Sequence, residues 1–354
     1  MSERILMSGN EALAEAAVVA GLDAYFGYPI TPQNEVPAYM SWRMPEAGKV
    51  FVQSESELAA INMVYGASAT GKRAMTSSSS PGISLMQEGI SYLAGAELPA
   101  VIVNIMRGGP GLGNIGPSQS DYFQATRGGG HGDYRTITFG PASVQELADI
   151  MPLAFDLADI YRMPVMVLGD GILGQMMEPV VIEKKPHVGK LPKKDWALTG
   201  IRDREQNIVR SLWLGEGVLE ELNNKLQARY REIEKNEVRC EQHLVKDADI
   251  VVVAYGVASR IVRSAVRKAR AAGVKAGWIR PITLWPFPME IVNKAADKLP
   301  IFLTVEMSAG QMVEDVKLAV AGKAAVVFYG RTGGGVPSVD EVLEQIEQLT
   351  THKK

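Results

Sequence analysis

The sequence predicts an α/β protein made of doubly wound parallel sheets, and two observations support this. Short apolar stretches alternate with longer ones whose apolar residues recur at helical spacing, which is typical of parallel strands joined by crossover helices. The chain has 354 residues, 46% of them hydrophobic, and 35 glycines, which suits a globular protein with many tight strand-to-helix turns. A chain of this length is expected to form two domains or one large one.

Residues 1–185 are expected to form the first domain. Helix 11–20 ends at Gly21, and helix 32–44 begins after Thr31-Pro32, because glycine and proline are common helix boundaries. Segments 100–105 and 164–168 are predominantly apolar, as expected of strands buried on both faces. The other predicted elements are strands 24–28, 50–52 and 74–76 and helices 57–69, 82–93 and 143–160.

Residues 186–246 differ in composition and are interpreted as a charged helical connector. Segment 217–239 is predicted to be an amphipathic helix, with Glu and Arg four residues apart on its exposed face. Two interpretations are open: a helix that packs across the surface or against a partner, and a solvated linker helix. The second is favoured from sequence alone.

Residues 247–354 are expected to form a second, smaller α/β domain. Helix 259–272 is stopped by Gly273, a common residue at helix C-termini. The other predicted elements are strands 249–255, 275–279, 301–305 and 325–329 and helices 289–298, 311–321 and 339–349.

Composition excludes several classes of function. A net charge of −3 is not the electrostatic footprint of a nucleic-acid-binding protein. We find neither a signal peptide nor an apolar stretch long enough to span a membrane, and we expect a cytoplasmic protein. The single cysteine, Cys240, forms no internal disulfide and cannot hold an iron–sulfur cluster, so any cluster must lie on another chain. Cys240 is interpreted as part of a solvated helix or linker and is a poor nucleophile candidate.

Three polar residues follow three successive predicted strands. Thr31 lies in Tyr28-Pro-Ile-Thr-Pro, Glu57 follows strand 50–52, and Arg107 follows strand 100–105. Ligands of open α/β sheets bind at the carboxyl ends of the strands. A hydroxyl, an acid and a cation that converge there predict a site for a small anionic substrate together with a cofactor.

Each of these residues also has a purely structural interpretation. Thr31 resembles a helix N-cap followed by proline. Ser54 and Glu57 have the spacing of a capping box, and Glu55 competes with Glu57 as the functional acid. Arg107 either pairs with an acid or binds an anion, for which a planar guanidinium is suited.

Other motifs are weaker. Residues 111–116 match GxGxxG but do not follow the first strand, and Pro117 rather than a helix comes next, so we do not expect a dinucleotide site. Asp170, in Gly-Asp-Gly, lacks the downstream asparagine of a magnesium–diphosphate motif and is interpreted as a turn residue that closes the domain. His131 is assigned to a surface loop, and no metal-ligand spacing is present.

These motifs, in this order, resemble the α subunits of the 2-oxoacid:ferredoxin oxidoreductases, most closely the 2-oxoisovalerate (branched-chain) type. The resemblance spans nearly the whole chain. It rests on Tyr28-Pro-Ile-Thr-Pro, Glu57-Leu-Ala-Ala, Arg107-Gly-Gly-Pro, Arg280-Pro-Ile-Thr-Leu-Trp-Pro-Phe-Pro and Val305-Glu-Met-x-x-Gly-Gln-Met-Val-Glu-Asp.

The resemblance implies a fold and a set of partners. The first domain would bind the pyrimidine half of thiamine diphosphate, and the last would be similar to the transketolase C-terminal domain. A β subunit would supply the diphosphate and Mg²⁺ site and a [4Fe–4S] cluster. Small γ and δ subunits, ferredoxin-like, would carry further clusters and help to bind coenzyme A, and ferredoxin would accept the electrons.

The resemblance also implies roles for individual residues. Glu57 would be the acid that contacts the cofactor pyrimidine, Tyr28, Pro29 and Ile30 would line the cofactor site, and Thr31 and Arg107 would hold the substrate. The expected reaction is oxidative decarboxylation of a branched-chain 2-oxoacid to acyl-CoA and CO2. The alternatives are the same chemistry on 2-oxoglutarate or pyruvate, a non-catalytic scaffold subunit, and a nucleotide-dependent dehydrogenase.

Overall fold

The computed structural model describes residues 4–183 and 186–351, whose strands form a seven-stranded, a five-stranded and a two-stranded sheet. The first part of the chain contains β1 (Ile5–Ser8), α1 (Gly9–Val19), β2 (Ala24–Gly27), α2 (Glu35–Glu46), β3 (Val50–Gln53), α3 (Glu57–Ala69), β4 (Ala74–Ser78), α4 (Ser80–Gly95), β5 (Ala100–Met106), α5 (Tyr122–Arg127), β6 (Ile137–Phe139), α6 (Val144–Tyr161), β7 (Pro164–Asp170), α7 (Gly171–Gln175) and β8 (Met177–Val180). The rest contains α8 (Val218–Asn236), β9 (Cys240–His243), β10 (Ile250–Val253), α9 (Gly256–Ala271), β11 (Ala276–Pro281), β12 (Thr283–Trp285), α10 (Met289–Ala296), β13 (Ile301–Glu306), α11 (Met312–Val320), β14 (Ala325–Gly330) and α12 (Val339–Thr351).

The seven-stranded sheet has the order β12-β6-β7-β5-β4-β2-β3 and is parallel except for β12. Every residue of β5 and β7 is buried because helices cover both faces of the sheet, which explains their apolar sequences. The chain runs from β2 to β3 and then returns to β4 on the other side of β2. The strand order therefore reverses between β2 and β4.

The predicted fold class is confirmed, and the predicted helices and strands are present with ends shifted by up to three residues. Seven short elements were not predicted from the sequence: β1, α5, β6, α7, β8, β9 and β12. Elements of this length show too little periodicity to be recognised. β1 and β8 pair only with each other, as a two-stranded antiparallel sheet.

The connector helix α8 packs against the first sheet. Leu226, Tyr230 and Ile233 are buried in the same hydrophobic core as residues of α1 and α6. Lys225 and Arg229 on the same helix both pair with Glu97. The favoured interpretation of a solvated linker helix is therefore wrong, and the alternative, a helix packed across the surface, describes α8.

The five-stranded sheet has the order β14-β13-β10-β11-β9, parallel except for β9. Cys240 begins β9 and pairs with Pro281, so its assignment to a solvated helix or linker is wrong. Burial raises the pKa of the Cys240 thiol to about 12, which keeps it protonated and unreactive at neutral pH.

Residues of both large sheets pack in one hydrophobic cluster, and one strand, β12, crosses from the smaller sheet to the larger one. β12 follows β11 of the smaller sheet but pairs antiparallel with β6 at the edge of the larger one. Leu284 in β12 is buried among residues of both sheets. Within the described residues, none of the helices is both long enough and apolar enough for a membrane span.

Candidate active site

The candidate site lies where the strand order of the large sheet reverses. The carboxyl ends of β2 and β4 flank a crevice there, and β3 and β5 end on either side. Such a reversal separates the loops that follow neighbouring strands and leaves room for a ligand. Thr31, Glu57 and Arg107 all follow strands that end at this edge.

Arg107 follows β5 and is fixed by neutral groups. Its Nη1 donates to the carbonyl oxygen of Thr31 at 3.0 Å, and its Nη2 donates to that of Leu112 at 2.9 Å. Its backbone N–H donates to the hydroxyl of Ser80 at 3.0 Å. The structure therefore brings Arg107 and Thr31 into direct contact.

No carboxylate pairs with Arg107 in the part of the chain that the structure describes. Its partners are carbonyl oxygens, and its Nε is buried without a hydrogen-bond partner. Of the two alternatives for this residue, the ion pair with an acid is thus not observed. The positive charge is oriented but not neutralised, as expected of a site for an anion.

Thr31 is not the helix N-cap that its sequence suggests. Helix α2 begins at Glu35, and Asn34 occupies the N-cap position. The hydroxyl of Thr31 accepts a hydrogen bond from the Asn34 amide at 3.1 Å, which leaves the hydroxyl proton available as a donor. The structural interpretation of Thr31 as a cap is therefore wrong.

Glu57 is the first residue of α3, and its predicted capping box is also wrong. The N-cap is Ser56, whose hydroxyl accepts from the backbone N–H of Ala59. Ser54 instead donates to the carbonyl oxygen of Gly27. Because the cap does not involve Glu57, its side chain is free for another role.

The side chain of Glu57 lies in a cradle beside the N-terminus of α4. It is 5% exposed, whereas Glu55 is exposed and accepts from the hydroxyl of Ser56. A Cβ at Gly82 would lie 2.5 Å from the Glu57 Oε1 and 2.0 Å from the Ser78 Oγ. The absence of a side chain at Gly82 thus makes room for the acid. Among the described residues, no hydrogen bond or ion pair to the Glu57 carboxylate is found, and although the residue is buried, its carboxylate oxygens are not fully enclosed.

The start of α4, just after β4, contacts Arg107 and was not predicted as part of the site from the sequence. Ser80 donates to Asp121 at 2.5 Å while accepting from the Arg107 backbone, and Asn104 donates to the same carboxylate at 2.9 Å. Burial raises the pKa of Asp121, although the hydrogen bonds from Ser80 and Asn104 act in the opposite direction. The run of serines at 77–80 was the only signal in the sequence for this segment.

Tyr28, Pro29 and Ile30 directly follow β2, at the sheet edge where the strand order reverses. The carbonyl oxygens of Tyr28 and Ile30 accept from Gln33, and the Tyr28 side chain is 38% exposed. Among the hydrogen bonds of the described residues, none joins Tyr28, Pro29 or Ile30 to Glu57. Their assignment to a cofactor site stays a prediction.

The weaker motifs have structural roles. Residues 111–116 form an irregular loop, and the next helix begins only at Tyr122, so they do not make the turn that a dinucleotide requires. Asp170 caps α7 through the N–H groups of Ile172 and Leu173. The chain continues to β8, so Asp170 does not close the domain. Burial raises its pKa to about 6. His131 lies in an exposed loop, as expected.

Two family models match the chain. Residues 15–238 match the thiamine-diphosphate-binding domain of pyruvate flavodoxin/ferredoxin oxidoreductases, and residues 248–342 match core domain II of pyruvate:ferredoxin oxidoreductase. Together the models cover every strand of both large sheets except β9.

Similar proteins agree with these models. The chain is 53% identical over 344 residues to the ketoisovalerate oxidoreductase subunit VorB of Methanothermobacter thermautotrophicus, covering 97% of both. A structure of 2-oxoglutarate:ferredoxin oxidoreductase from Magnetococcus marinus, with 2-oxoglutarate, coenzyme A and succinyl-CoA bound, superposes with a TM-score of 0.84 at 27% identity. It covers 98% of this chain and 65% of that chain. A split-gene transketolase, an inactive β4 tetramer, shares the fold, with a TM-score of 0.61 at 16% identity over the whole of both chains.

Proposed function

The chain belongs to the 2-oxoacid:ferredoxin oxidoreductase family, and from this premise we propose that it is the subunit that supplies one half of a thiamine-dependent active site. The proposed reaction is oxidative decarboxylation of a branched-chain 2-oxoacid to acyl-CoA and CO2, with electrons passed to ferredoxin. The observation that carries the proposal is the oriented but unneutralised Arg107 at the same sheet edge as the buried, unpartnered Glu57.

The residues of the crevice fit the pyrimidine end of thiamine diphosphate. Glu57 is a largely buried acid whose carboxylate has no partner in the described chain, and its oxygens keep contact with solvent, so they are open to a ligand. The hydroxyls of Ser78 and Ser79 are also buried and have no hydrogen-bond partner among residues 4–183 and 186–351. A ring nitrogen and an amino group would satisfy such donors and acceptors. We propose that Glu57, together with Tyr28, Pro29 and Ile30, holds this ring.

The chemical roles of this chain's residues follow from that placement. Thiamine diphosphate, when bound, supplies the nucleophilic carbon and accepts the electron pair left by CO2. Glu57 would hold a proton in a hydrogen bond to a nitrogen of the bound pyrimidine ring. Arg107 holds the substrate carboxylate with the N–H groups that the carbonyls of Thr31 and Leu112 leave free. The hydroxyl of Thr31 donates to the 2-oxo oxygen.

The geometry beside Thr31 favours an apolar substrate side chain. Thr31, Pro32, Ile115, Ile172 and Met176 contribute to an open, largely apolar cavity there. No lysine or arginine is among the described residues that line it, and Glu35 is one of them. A second carboxylate, as in 2-oxoglutarate, would meet no cation and one like charge in this cavity. We therefore propose a branched alkyl group, as in the substrate of the ketoisovalerate relative.

The remaining components are proposed to come from partner subunits. With one cysteine, this chain cannot hold a [4Fe–4S] cluster, which needs several thiolates. Tyr28, Leu58, Leu112 and Ile115 are exposed near the crevice, with 38% to 80% of each residue accessible. Large apolar side chains that surround a site are typical of an interface. We propose that a β subunit with the diphosphate, Mg²⁺ and cluster sites covers them, and that small γ and δ subunits help to bind coenzyme A and pass electrons to ferredoxin.

Purification of the complete complex tests the proposal. A tag on this chain should retain the partner subunits. The complex, given thiamine diphosphate and coenzyme A, should reduce methyl viologen with 2-oxoisovalerate faster than with pyruvate or 2-oxoglutarate. A preference for 2-oxoglutarate would contradict the substrate assignment, and viologen reduction by none of these acids would contradict the reaction.

A further inference from the structure

The second switch point of the molecule is filled by the chain itself. In the five-stranded sheet the order reverses between β10 and β13, where an α/β sheet would bind a ligand. Gln119, fully buried, occupies this place. Its backbone N–H and side-chain Oε1 bond to the carbonyl and N–H of Met307 at 2.8 and 3.0 Å, and its Nε2 donates to the carbonyl of Tyr255 at 3.0 Å. Residues that follow β10 and β13 of the smaller sheet thus hydrogen-bond to the segment that follows Arg107.

The segment between Arg107 and Gln119 contains a closed loop. We call residues 107–117 the Arg107 loop, because its two ends, Arg107 and Pro117, form a β-bridge. Inside it, the N–H of Gly108 donates to the carbonyl of Gly116, and the N–H of Asn114 donates to the carbonyl of Gly108, both at 2.9 Å. The side-chain Oδ1 of Asn114 accepts from the N–H of Gly116 at 2.9 Å. Asn114 therefore braces the loop from within.

Asn114 also connects the loop to the turn that follows β14 of the smaller sheet. Its Nδ2 donates to the carbonyl of Gly333 at 2.8 Å, in the turn that follows β14. A Cβ at Gly116 would lie 2.8 Å from the Cα of Gly334, so the two backbones approach at a distance that only glycine allows. Gly334 also has a φ of +89°. The contact is thus built into both segments.

The Arg107 loop in turn fixes the guanidinium. The carbonyl of Leu112, inside the loop, accepts from Nη2 of Arg107. A shift of the loop would move this carbonyl and rotate the guanidinium away from the crevice. Asn114 does not itself reach the crevice, because its side chain is committed to Gly116 and Gly333.

We propose that Asn114 is a positioning residue, through which the turn at 332–335 holds the Arg107 loop and orients Arg107 for the substrate carboxylate. This inference rests on the proposed function of Arg107. It assigns to the smaller domain the task of aligning the substrate-binding arginine.

Asn114→Asp tests the proposal selectively. Aspartate retains an oxygen for the N–H of Gly116 but replaces the donor to Gly333 by an oxygen that repels the carbonyl. In the assembled complex, KM for the 2-oxoacid should rise about tenfold, equivalent to about 1.4 kcal/mol, with little change in thiamine affinity. Asn293→Asp is the matched control, because Asn293 makes the same amide-to-carbonyl contact at 2.8 Å, to Ala319, remote from the loop.

The double variant of Asn114→Asp with Arg107→Ala distinguishes a loss of Arg107 positioning from a general destabilisation of the protein. If Asn114 acts through Arg107, Asn114→Asp should cause no further loss of kcat/KM in the Arg107→Ala background. An equal loss in both backgrounds, or an unchanged KM in the single variant, would overturn the proposal. Asn114→Ala, which introduces no charge, should reproduce the rise in KM.

Hydrogen exchange provides a readout that does not depend on activity. The amides of Gly108 and of residue 114, which bond to carbonyls inside the loop, should exchange faster in Asn114→Asp than in the wild-type complex and no faster in Asn293→Asp. Unchanged protection of these amides would overturn the structural part of the proposal. If the wild-type complex oxidised no 2-oxoacid, the assigned reaction would fail while the exchange data would still decide whether Asn114 holds the loop.

Discussion

Replacement of Arg107 by lysine is expected to impair catalysis although the charge is kept. Arginine has five N–H donors, of which two are used for the carbonyls of Thr31 and Leu112. One N–H therefore remains on each terminal nitrogen, enough for a two-point contact with a carboxylate. Lysine has three donors, and only one would remain after both carbonyls were satisfied, so the two-point contact is lost.

The magnitude follows from the number of bonds lost. One charge-assisted hydrogen bond contributes about 1.5–3 kcal/mol, so kcat/KM of Arg107→Lys should fall by about one to two orders of magnitude. Arg107→Ala removes the charge as well and should cost about 2–4 kcal/mol in kcat/KM. Affinity for thiamine diphosphate should change little, because we expect the partner subunit to hold the diphosphate. The assay is viologen reduction by the assembled complex over a range of 2-oxoacid concentrations.

Arg43→Lys is the matched control, because Arg43 also makes a two-point contact with a carboxylate but at a different place in the fold. Arg43 contacts the Glu15 carboxylate through Nε and Nη2 at 2.7 and 3.1 Å, between α1 and α2. Arg43→Lys should therefore lose a two-point contact without loss of activity. If Arg107→Lys kept wild-type kcat/KM, the substrate carboxylate would have to be held elsewhere, and Arg107 would serve only to tie Thr31 to the loop.

Three further outcomes are expected. Glu57→Gln should abolish turnover and slow deuterium exchange at the thiamine C2, while Glu55→Gln, two residues away and exposed, should do neither; exchange at the wild-type rate would leave Glu57 without a catalytic role. The 354-residue chain alone should reduce no viologen with any 2-oxoacid, because it lacks clusters and half of the site; activity of the isolated chain would refute the subunit assignment. Asp170 has a folded-state pKa of about 6 against an ordinary 3.8, so the folded chain binds the extra proton and loses up to about 3 kcal/mol of stability as pH rises between those values. Asp170→Asn should remove that loss, seen as a higher denaturation midpoint than wild type at pH 7 and a smaller difference at pH 4.

Much of the fold could be predicted because its central strands and long helices carry a local signal. Strands β5 and β7 are predominantly apolar, and helix α3 was predicted with the ends that the structure has. The candidate residues were found by a local rule as well, since each lies within four residues of the end of a strand. The contact between Arg107 and Thr31, 76 positions apart, needed only the knowledge that parallel strands end at one edge.

The incorrect details came from features that local sequence does not decide. Ser54 and Ser56 are both suitable caps for α3, and the choice depended on the carbonyl of Gly27 in the neighbouring strand, which accepts from Ser54. Thr31 precedes a proline like many caps, but its carbonyl is taken by Arg107 and the helix begins later. In each case a contact from a distant segment determined where the helix starts.

Because β12 pairs with the larger sheet, the chain does not divide into two independent parts at the sequence boundary. Our predicted boundary near residue 247 separates two sequence regions, and the family models also change between residues 238 and 248. Yet in a fragment that ended there, β6 would lose β12, its outer neighbour, and would become an edge strand paired only with β7. Such a fragment would also deprive Gln119 of the carbonyls of Tyr255 and Met307 and Asn114 of that of Gly333. The segment that carries Arg107 is thus held by residues more than 100 positions later in the chain. The substrate side of the crevice therefore depends on both sheets. Glu57, by contrast, lies beside Ser78 and Gly82 and depends on the first sheet.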